Sequence, residues 1–143
     1  MSLSKIAGVF LLLTGCAGTT PRVAEVSHRT ITHTINAEEK AVFVRDPASR
    51  IRVEPQALPA GERRQEFFVR WTPATVGAVR FQYRQFNVPN TVREQAFDAA
   101  GRRSTTFRVH GDEFLQGGTV SAWRVSLWSD TTNCVAEMRS ATW

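Results

Sequence analysis

Histidine and carboxylate side chains come together in the sequence at His110-Gly111-Asp112-Glu113. Imidazole and carboxylate groups can bind a metal ion or transfer protons, so this stretch is a candidate for acid–base chemistry. However, a zinc site needs three or four ligands in a fixed geometry, and a calcium loop normally offers more acidic oxygens. The pattern is more typical of a turn, in which Gly111 bends the chain and Asp112 bonds to nearby backbone. We therefore predict no metal site.

Other catalytic patterns are missing from the sequence. His28 and His33 are five residues apart and would project from opposite faces of a continuous strand. There is no Gly-x-Ser-x-Gly turn, no Cys-x-x-Cys pair and no glycine-rich loop that could hold a phosphate. We predict that the protein is not an enzyme and uses no cofactor. A small hydrolase that uses the loop from His110 to Glu113 is kept as an alternative.

The start of the chain offers a different kind of chemistry. Lys5 is followed by the apolar run Ile6–Leu13 and then by Leu13-Thr14-Gly15-Cys16. The run is less than half of the ~20 apolar residues that a membrane-spanning helix needs. It has the character of a secretory signal. The four residues that end at Cys16 resemble a bacterial lipobox, which implies that the cysteine is lipidated on sulfur and becomes the new N-terminus.

The lipobox resemblance implies a cellular location and a division of the chain into segments. We expect a signal peptide over residues 1–15, a lipidated tether over 16–24 and one β domain over 25–143. Two or three acyl chains hold a protein durably at a membrane without a spanning segment. Ala17, not Asp, follows the cysteine, and the resemblance then implies export to the outer membrane, facing the periplasm. Cys134 is left without a partner and is predicted to be a small buried hydrophobic residue.

Composition allows one packed domain. The chain has 143 residues, of which 42% are hydrophobic and 22% are charged, values that are close to the average for globular proteins. The formal net charge is +5, and loss of Lys5 with the leader leaves 17 basic and 13 acidic residues, or +4. Because this excess is mild and the protein is expected to be exported, we predict no nucleic-acid partner.

The mature chain is dominated by apolar side chains at every second position, which predicts β-strands with one buried and one solvated face. No segment shows a helical apolar stripe. Pro55–Arg64 and Gly111–Gly118 are predicted to be loops. Residues 26–54 are expected to supply the first strand and an extra N-terminal hairpin. The predicted strands cover Thr30–Ile35, Ala41–Arg45, Arg50–Glu54, Phe67–Trp71, Val79–Tyr83, Thr91–Phe97, Phe107–Val109, Trp123–Leu127 and Cys134–Arg139.

Strands of this number and spacing predict an all-β fold with a single antiparallel β-sandwich. From about residue 65 to the end, the segments resemble a fibronectin type III or related immunoglobulin-like domain. The features are Trp71-Thr72-Pro73, the aromatic partner strand with Phe81 and Tyr83, and Val109-His110-Gly111 before Gly118-Thr119. The chain departs from the pattern because the loop before the penultimate strand is long and that strand has no tyrosine near its start.

A surface patch is the predicted binding site. If the apolar members of the strands point inward, the intervening arginines point outward, and the resemblance places their strands in one sheet. The predicted face consists of Arg80, Arg84, Arg124 and Arg139, with Trp128 at its margin. Such a face can bind lipid phosphate, an acidic polymer or an acidic protein. A solvated face partly neutralised by Glu137 is the alternative.

We predict a lipid-tethered, non-enzymatic accessory or assembly component of the cell envelope that binds an envelope protein partner. A module that binds carbohydrate or another envelope polymer through Trp128, Trp143 and nearby arginines is an alternative. No oligomeric state is predicted.

Overall fold

Alternating apolar residues produce two antiparallel sheets that pack face to face as a β-sandwich. The computed structural model describes residues 20–34 and 55–143. The strands in chain order are β1 (Arg22–Ile31), β2 (His33–Thr34), β3 (Gln56–Ala57), β4 (Arg64–Thr72), β5 (Ala78–Gln85), β6 (Val88–Asp98), β7 (Ser104–His110), β8 (Val120–Trp128) and β9 (Cys134–Arg139). A three-stranded sheet has the order β1-β4-β7, and a four-stranded sheet has the order β6-β5-β8-β9. The predicted all-β sandwich is confirmed at this level.

The core lies between the inward rows of the two sheets. Phe81 from β5 lies 4.7 Å from Phe67 of β4 and 5.1 Å from Phe107 of β7, measured between ring centroids. The alternations predicted for β4, β5, β7 and β8 are confirmed, since all their inward members except Trp123 are buried. The buried members are Phe67, Val69, Trp71, Val79, Phe81, Tyr83, Phe107, Val109, Val125 and Leu127.

A short helix replaces the predicted loop Gly111–Gly118. Helix α1 covers Gly111–Gly117 and ends at Gly118, whose φ of 73° favours glycine. It was missed because seven residues are too few for an apolar stripe to stand out, and only Phe114 and Gly117 are buried. In the described ranges, 20–34 and 55–143, no helix is long and apolar enough to cross a membrane.

The prediction that Cys134 is buried is wrong, because the residue is exposed. The pairing of β8 with β9 shifts at this point: Leu127 faces Ala136, but Trp128 faces Cys134. Val135 is therefore an extra residue in β9, and such a bulge reverses the side on which the preceding residue lies. The bulge moves Cys134 to the outer face beside Trp128.

The remaining differences concern strand boundaries. β1 begins at Arg22 and buries Val23, so it includes residues 22–24, which the sequence assigned to the tether. The predicted short strand Thr91–Phe97 is part of the longer β6. β2 pairs with β3, and β3 lies within the predicted loop Pro55–Arg64. The predicted strands over 41–45 and 50–54, and with them most of the extra hairpin, lie outside the described residues.

Phe81→Ala tests the central position of this side chain. We expect the free energy of unfolding to fall by about 3–5 kcal/mol, because a buried aromatic ring is removed from a packed core. Phe86→Ala is the matched control: Phe86 is 73% exposed, and its loss should change stability by less than about 0.5 kcal/mol. Urea unfolding followed by tryptophan fluorescence measures both values. Equal losses in the two variants would contradict the assignment of the core.

Candidate functional site

The structure brings the five predicted face residues together on the outer side of the four-stranded sheet. Arg80 and Arg84 lie on β5, Arg124 and Trp128 on β8, and Arg139 on β9, and these three strands are neighbours. They point outward because they alternate with the buried rows of β5 and β8. We call this surface, together with Trp143, the arginine–tryptophan face.

The two tryptophans of this face lie under arginine side chains. The guanidinium carbon of Arg80 is 4.0 Å from the ring centroid of Trp128. Those of Arg84 and Arg124 are 5.3 and 5.0 Å from the centroid of Trp143. Each distance is within the range of a cation–π contact, which holds both partners in place.

Trp143 reaches the face because the C-terminus folds back over the sheet. The backbone N–H of Trp143 donates to Ser140 O at 3.2 Å. The Thr142 hydroxyl donates to Ser121 O at 2.7 Å. The sequence suggested Trp143 as an exposed aromatic residue but could not place it, since it follows the last strand.

Positive charge on this face is incompletely balanced. Arg124 and Arg139 are directly opposite each other on β8 and β9, an arrangement that places like charges together. The Gln82 Oε1 atom accepts a hydrogen bond from Arg124 Nε at 2.9 Å, and Gln82 Nε2 donates to Glu94 Oε2 at 2.7 Å. The Gln82 side-chain amide therefore lies between Arg124 and the Glu94 carboxylate.

Partial neutralisation by Glu137, the alternative considered from the sequence, is not seen. Glu137 is opposite Ser126, and within the part of the chain that the structure describes none of the four arginines forms a salt bridge. A cleft of about 260 Å³ opens on the face between Arg80, Arg124, Trp128 and Glu137. Its rim can accept an anionic group.

Glu113 is bound to neighbouring side chains. It is therefore not the free ligand that the sequence suggested for the loop from His110 to Glu113. The Tyr83 hydroxyl donates to Glu113 Oε1 at 2.5 Å, and Arg93 lies 3.4 Å from the same oxygen. Burial and this hydrogen bond raise the pKa of Tyr83 well above its usual value. These contacts hold α1 over one end of the sandwich, so the Glu113 carboxylate positions the helix.

The other candidate ligands do not gather. His110, His28 and His33 are exposed, and the His28 ring contacts Phe67 in a tilted arrangement with ring centroids 5.3 Å apart. Among residues 20–34 and 55–143, no three His, Cys, Asp or Glu side chains are grouped as they would be to hold a metal ion.

A second charged cluster lies on the outer side of the three-stranded sheet and was missed by sequence reasoning. Glu66 on β4 has a side chain only 8% exposed and accepts hydrogen bonds from Arg29 on β1, Arg64 on β4 and Arg108 on β7. Hydrogen bonds from Arg29 and then Arg64 lower the pKa of Glu66 to about 2. We call these four residues the Glu66 cluster. Arg64 and Glu66 alternate with the buried row of β4, but their partners come from distant strands, so the cluster has no local signal.

Comparison with protein-family models, with curated proteins and with solved structures finds no match to this chain.

Glu66→Gln tests the linkage between this carboxylate and acid stability. The pKa of Glu66 is lowered from 4.5 to about 2 in the folded state. The ionised carboxylate therefore adds its full contribution to the free energy of unfolding above about pH 4.5, and this contribution is lost as the pH falls towards 2. We expect the free energy of unfolding of the parent to exceed that of the variant by about 1–2 kcal/mol at pH 7. That difference should shrink between pH 4.5 and 2.

Urea unfolding at a series of pH values measures this difference. Glu62→Gln serves as the control, because Glu62 is an exposed carboxylate near the same strand. A difference for Glu66→Gln that does not change with pH would contradict the linkage.

Proposed function

We propose that this chain is a bacterial lipoprotein that acts as a non-enzymatic accessory or assembly component of the cell envelope. A leader over residues 1–15 directs export, Cys16 carries the lipid, and the sandwich faces the periplasm from the outer membrane. The support is the order of Lys5, the apolar run Ile6–Leu13 and Leu13-Thr14-Gly15-Cys16. Two or three acyl chains hold such a protein without a spanning segment.

The domain stays close to the membrane in this proposal. β1 begins at Arg22, and the chain from Cys16 to Arg22 can span at most about 20 Å when fully extended. A partner must therefore meet the sandwich within a short distance of the lipid surface, as a component of an envelope assembly does.

The arginine–tryptophan face is the proposed binding surface, and its partner is an acidic segment of an envelope protein. The observation that carries this proposal is the direct opposition of Arg124 and Arg139 on neighbouring strands. Opposed like charges reduce stability in the free protein. A carboxylate placed between two guanidinium groups removes the repulsion and gains charge-assisted hydrogen bonds.

Preorganisation supports the same proposal. Arg80, Arg84 and Arg124 are held over indole rings, so less side-chain freedom is lost when they bind. Guanidinium groups already lie over Trp128 and Trp143, which leaves less open ring surface for stacking on sugars. This favours an acidic protein over the carbohydrate alternative. The hydrolase alternative has no comparable support, since Glu113 is engaged by Tyr83 and Arg93.

We further propose that the sandwich is of the fibronectin type III kind. Its support is the division into sheets of order β1-β4-β7 and β6-β5-β8-β9, together with Trp71-Thr72-Pro73 and the aromatic row of β5. Helix α1 occupies the long connection before β8. In this proposal the Tyr83–Glu113 hydrogen bond anchors that connection.

Cys16→Ser tests the lipid anchor. We expect the parent to enter the detergent phase of a Triton X-114 partition and the variant to leave it, because the acyl chains are lost with the sulfur. Cys134→Ser is the matched control and should partition as the parent does. An intact mass that shows an unmodified thiol at Cys16, or equal partitioning of the two variants, would contradict the anchor.

Arg84→Glu combined with Arg139→Glu tests the binding face. We expect recovery of a stoichiometric partner from detergent-solubilised envelope to fall about tenfold, since two guanidinium groups of the face are reversed. Binding of a synthetic poly-glutamate peptide should weaken in parallel, as measured by fluorescence anisotropy.

Arg22→Glu combined with Arg103→Glu is the control, because it makes the same change in net charge at exposed positions outside the face. If both double variants weaken binding equally, attraction is a property of net charge and the face is not the site. Repeated recovery of the parent protein without any partner would contradict the protein-partner proposal.

A further inference from the structure

The Glu66 cluster lies on the outer side of the three-stranded sheet, around the start of its central strand β4 and on the opposite side of the sandwich from the arginine–tryptophan face. The register aligns Arg29, Glu66 and Arg108 across β1, β4 and β7. The next outward row is Ser27, Phe68 and Thr106. A charged row and a row with an aromatic centre therefore lie side by side.

Positive charge exceeds negative charge in this cluster. Three guanidinium groups surround one carboxylate, which leaves an excess of +2 among the four side chains. One arginine in bidentate contact is enough to pair a carboxylate. Arg29 donates two hydrogen bonds to one oxygen, Glu66 Oε2, from Nε and a terminal nitrogen at 2.9 and 2.8 Å. Arg64 and Arg108 both donate to the other oxygen, Glu66 Oε1, so these two guanidinium groups share one acceptor and repel each other.

The arginines are held in place but remain accessible. The Arg29 and Arg108 side chains are 73% and 58% exposed, whereas the Glu66 side chain is 8% exposed. Arg108 contacts Glu66 through Nε alone, at 3.3 Å. Within the described residues both of its terminal nitrogens are therefore uncommitted, and a guanidinium has five N–H donors in a rigid fork. The buried carboxylate thus orients donors that still point to solvent.

An apolar surface adjoins these donors. Phe68 is 39% exposed although it lies on the central strand of its sheet. A depression of about 340 Å³ extends over it and is lined by Ser27, His28, Arg29, Glu66, Phe68 and Thr106. This volume is at the lower end of the range for small-molecule sites. The depression combines the Arg29 guanidinium, two hydroxyl groups and an exposed aromatic ring. Arg108 lies outside its lining, in the same cross-strand row as Arg29 and Glu66.

We propose that the Glu66 cluster and Phe68 form a binding site for an organic phosphate monoester whose apolar substituent packs on the Phe68 ring. The phosphate oxygens accept hydrogen bonds from Arg29 and Arg108, and the hydroxyls of Ser27 and Thr106 complete the polar contacts. A phosphate dianion matches the excess of two positive charges. A neutral sugar lacks the charge, and inorganic phosphate lacks the apolar group.

Phenyl phosphate is the probe, since it is water-soluble and carries both groups. The full chain in dodecyl maltoside, a neutral detergent, is titrated while the arginine Nε–H signals are followed by ¹⁵N NMR. We expect saturable shifts at residues 29, 64 and 108, with phenyl phosphate binding about tenfold more tightly than inorganic phosphate.

Two variants separate the polar and apolar contributions. Arg108→Gln leaves Arg29 and Arg64 on Glu66 and should weaken phenyl phosphate binding about tenfold. Phe68→Ser should remove the preference for phenyl over inorganic phosphate. Arg103→Gln, an exposed position outside both charged faces, is the control and should bind as the parent does. Unchanged binding in Arg108→Gln, or shifts spread evenly over all arginines, would overturn the proposal.

Mixed micelles with phosphatidic acid identify the source of the ester. Shifts of the same three signals there assign a lipid headgroup, whereas a response to phenyl phosphate alone assigns a soluble ester. The site shares no side chain with the arginine–tryptophan face, so failure here leaves the protein-binding proposal intact.

Discussion

Packing around Phe81 is the interaction on which the rest of the structure depends. Its ring packs against Phe67 and Phe107, which are paired across β4 and β7, and stacks on Tyr83 at 5.0 Å, so it joins the two sheets. A strand alternates its side chains between two faces. Burying Val79, Phe81 and Tyr83 therefore forces Arg80, Gln82 and Arg84 outward. The charged surface on β5 is a direct consequence of the core.

The two outer faces hold their arginine side chains in place by different contacts. On the four-stranded sheet, indole rings and the Gln82 amide hold the guanidinium groups. On the three-stranded sheet, one buried carboxylate holds three of them. Both arrangements fix donors without neutralising them fully. An ionic partner can therefore bind either face with little loss of side-chain freedom.

One end of the sandwich is closed by polar contacts that cross between the sheets. Gln85 Nε2 donates to the carbonyls of Glu113 and Gly118 at 3.0 and 2.8 Å. Gln65 Oε1 accepts from the backbone N–H of Val120 at 2.8 Å. Both glutamines are buried. Gln85 joins β5 to α1 and its C-cap, and Gln65 joins β4 of one sheet to the start of β8 in the other.

Alternation along the chain was sufficient to predict the sandwich, most of its buried rows and the outward direction of Arg80, Arg84, Arg124 and Arg139, because strand periodicity is a local property. The resemblance added that their strands share a sheet. Leu13-Thr14-Gly15-Cys16 likewise predicts lipidation from adjacent residues, and that remains a prediction.

Tertiary structure decided the features that depend on register and on contacts between distant segments. A one-residue bulge between β8 and β9 moved Cys134 to the surface, and the returning C-terminus placed Trp143 under Arg84 and Arg124. The bonds from Tyr83 and Gln85 hold a seven-residue helix that is too short to be stable alone. Glu66 meets Arg29 and Arg108 only because β4 lies between β1 and β7. Residue types determine which side of a strand is buried, but only strand order and register determine which side chains meet.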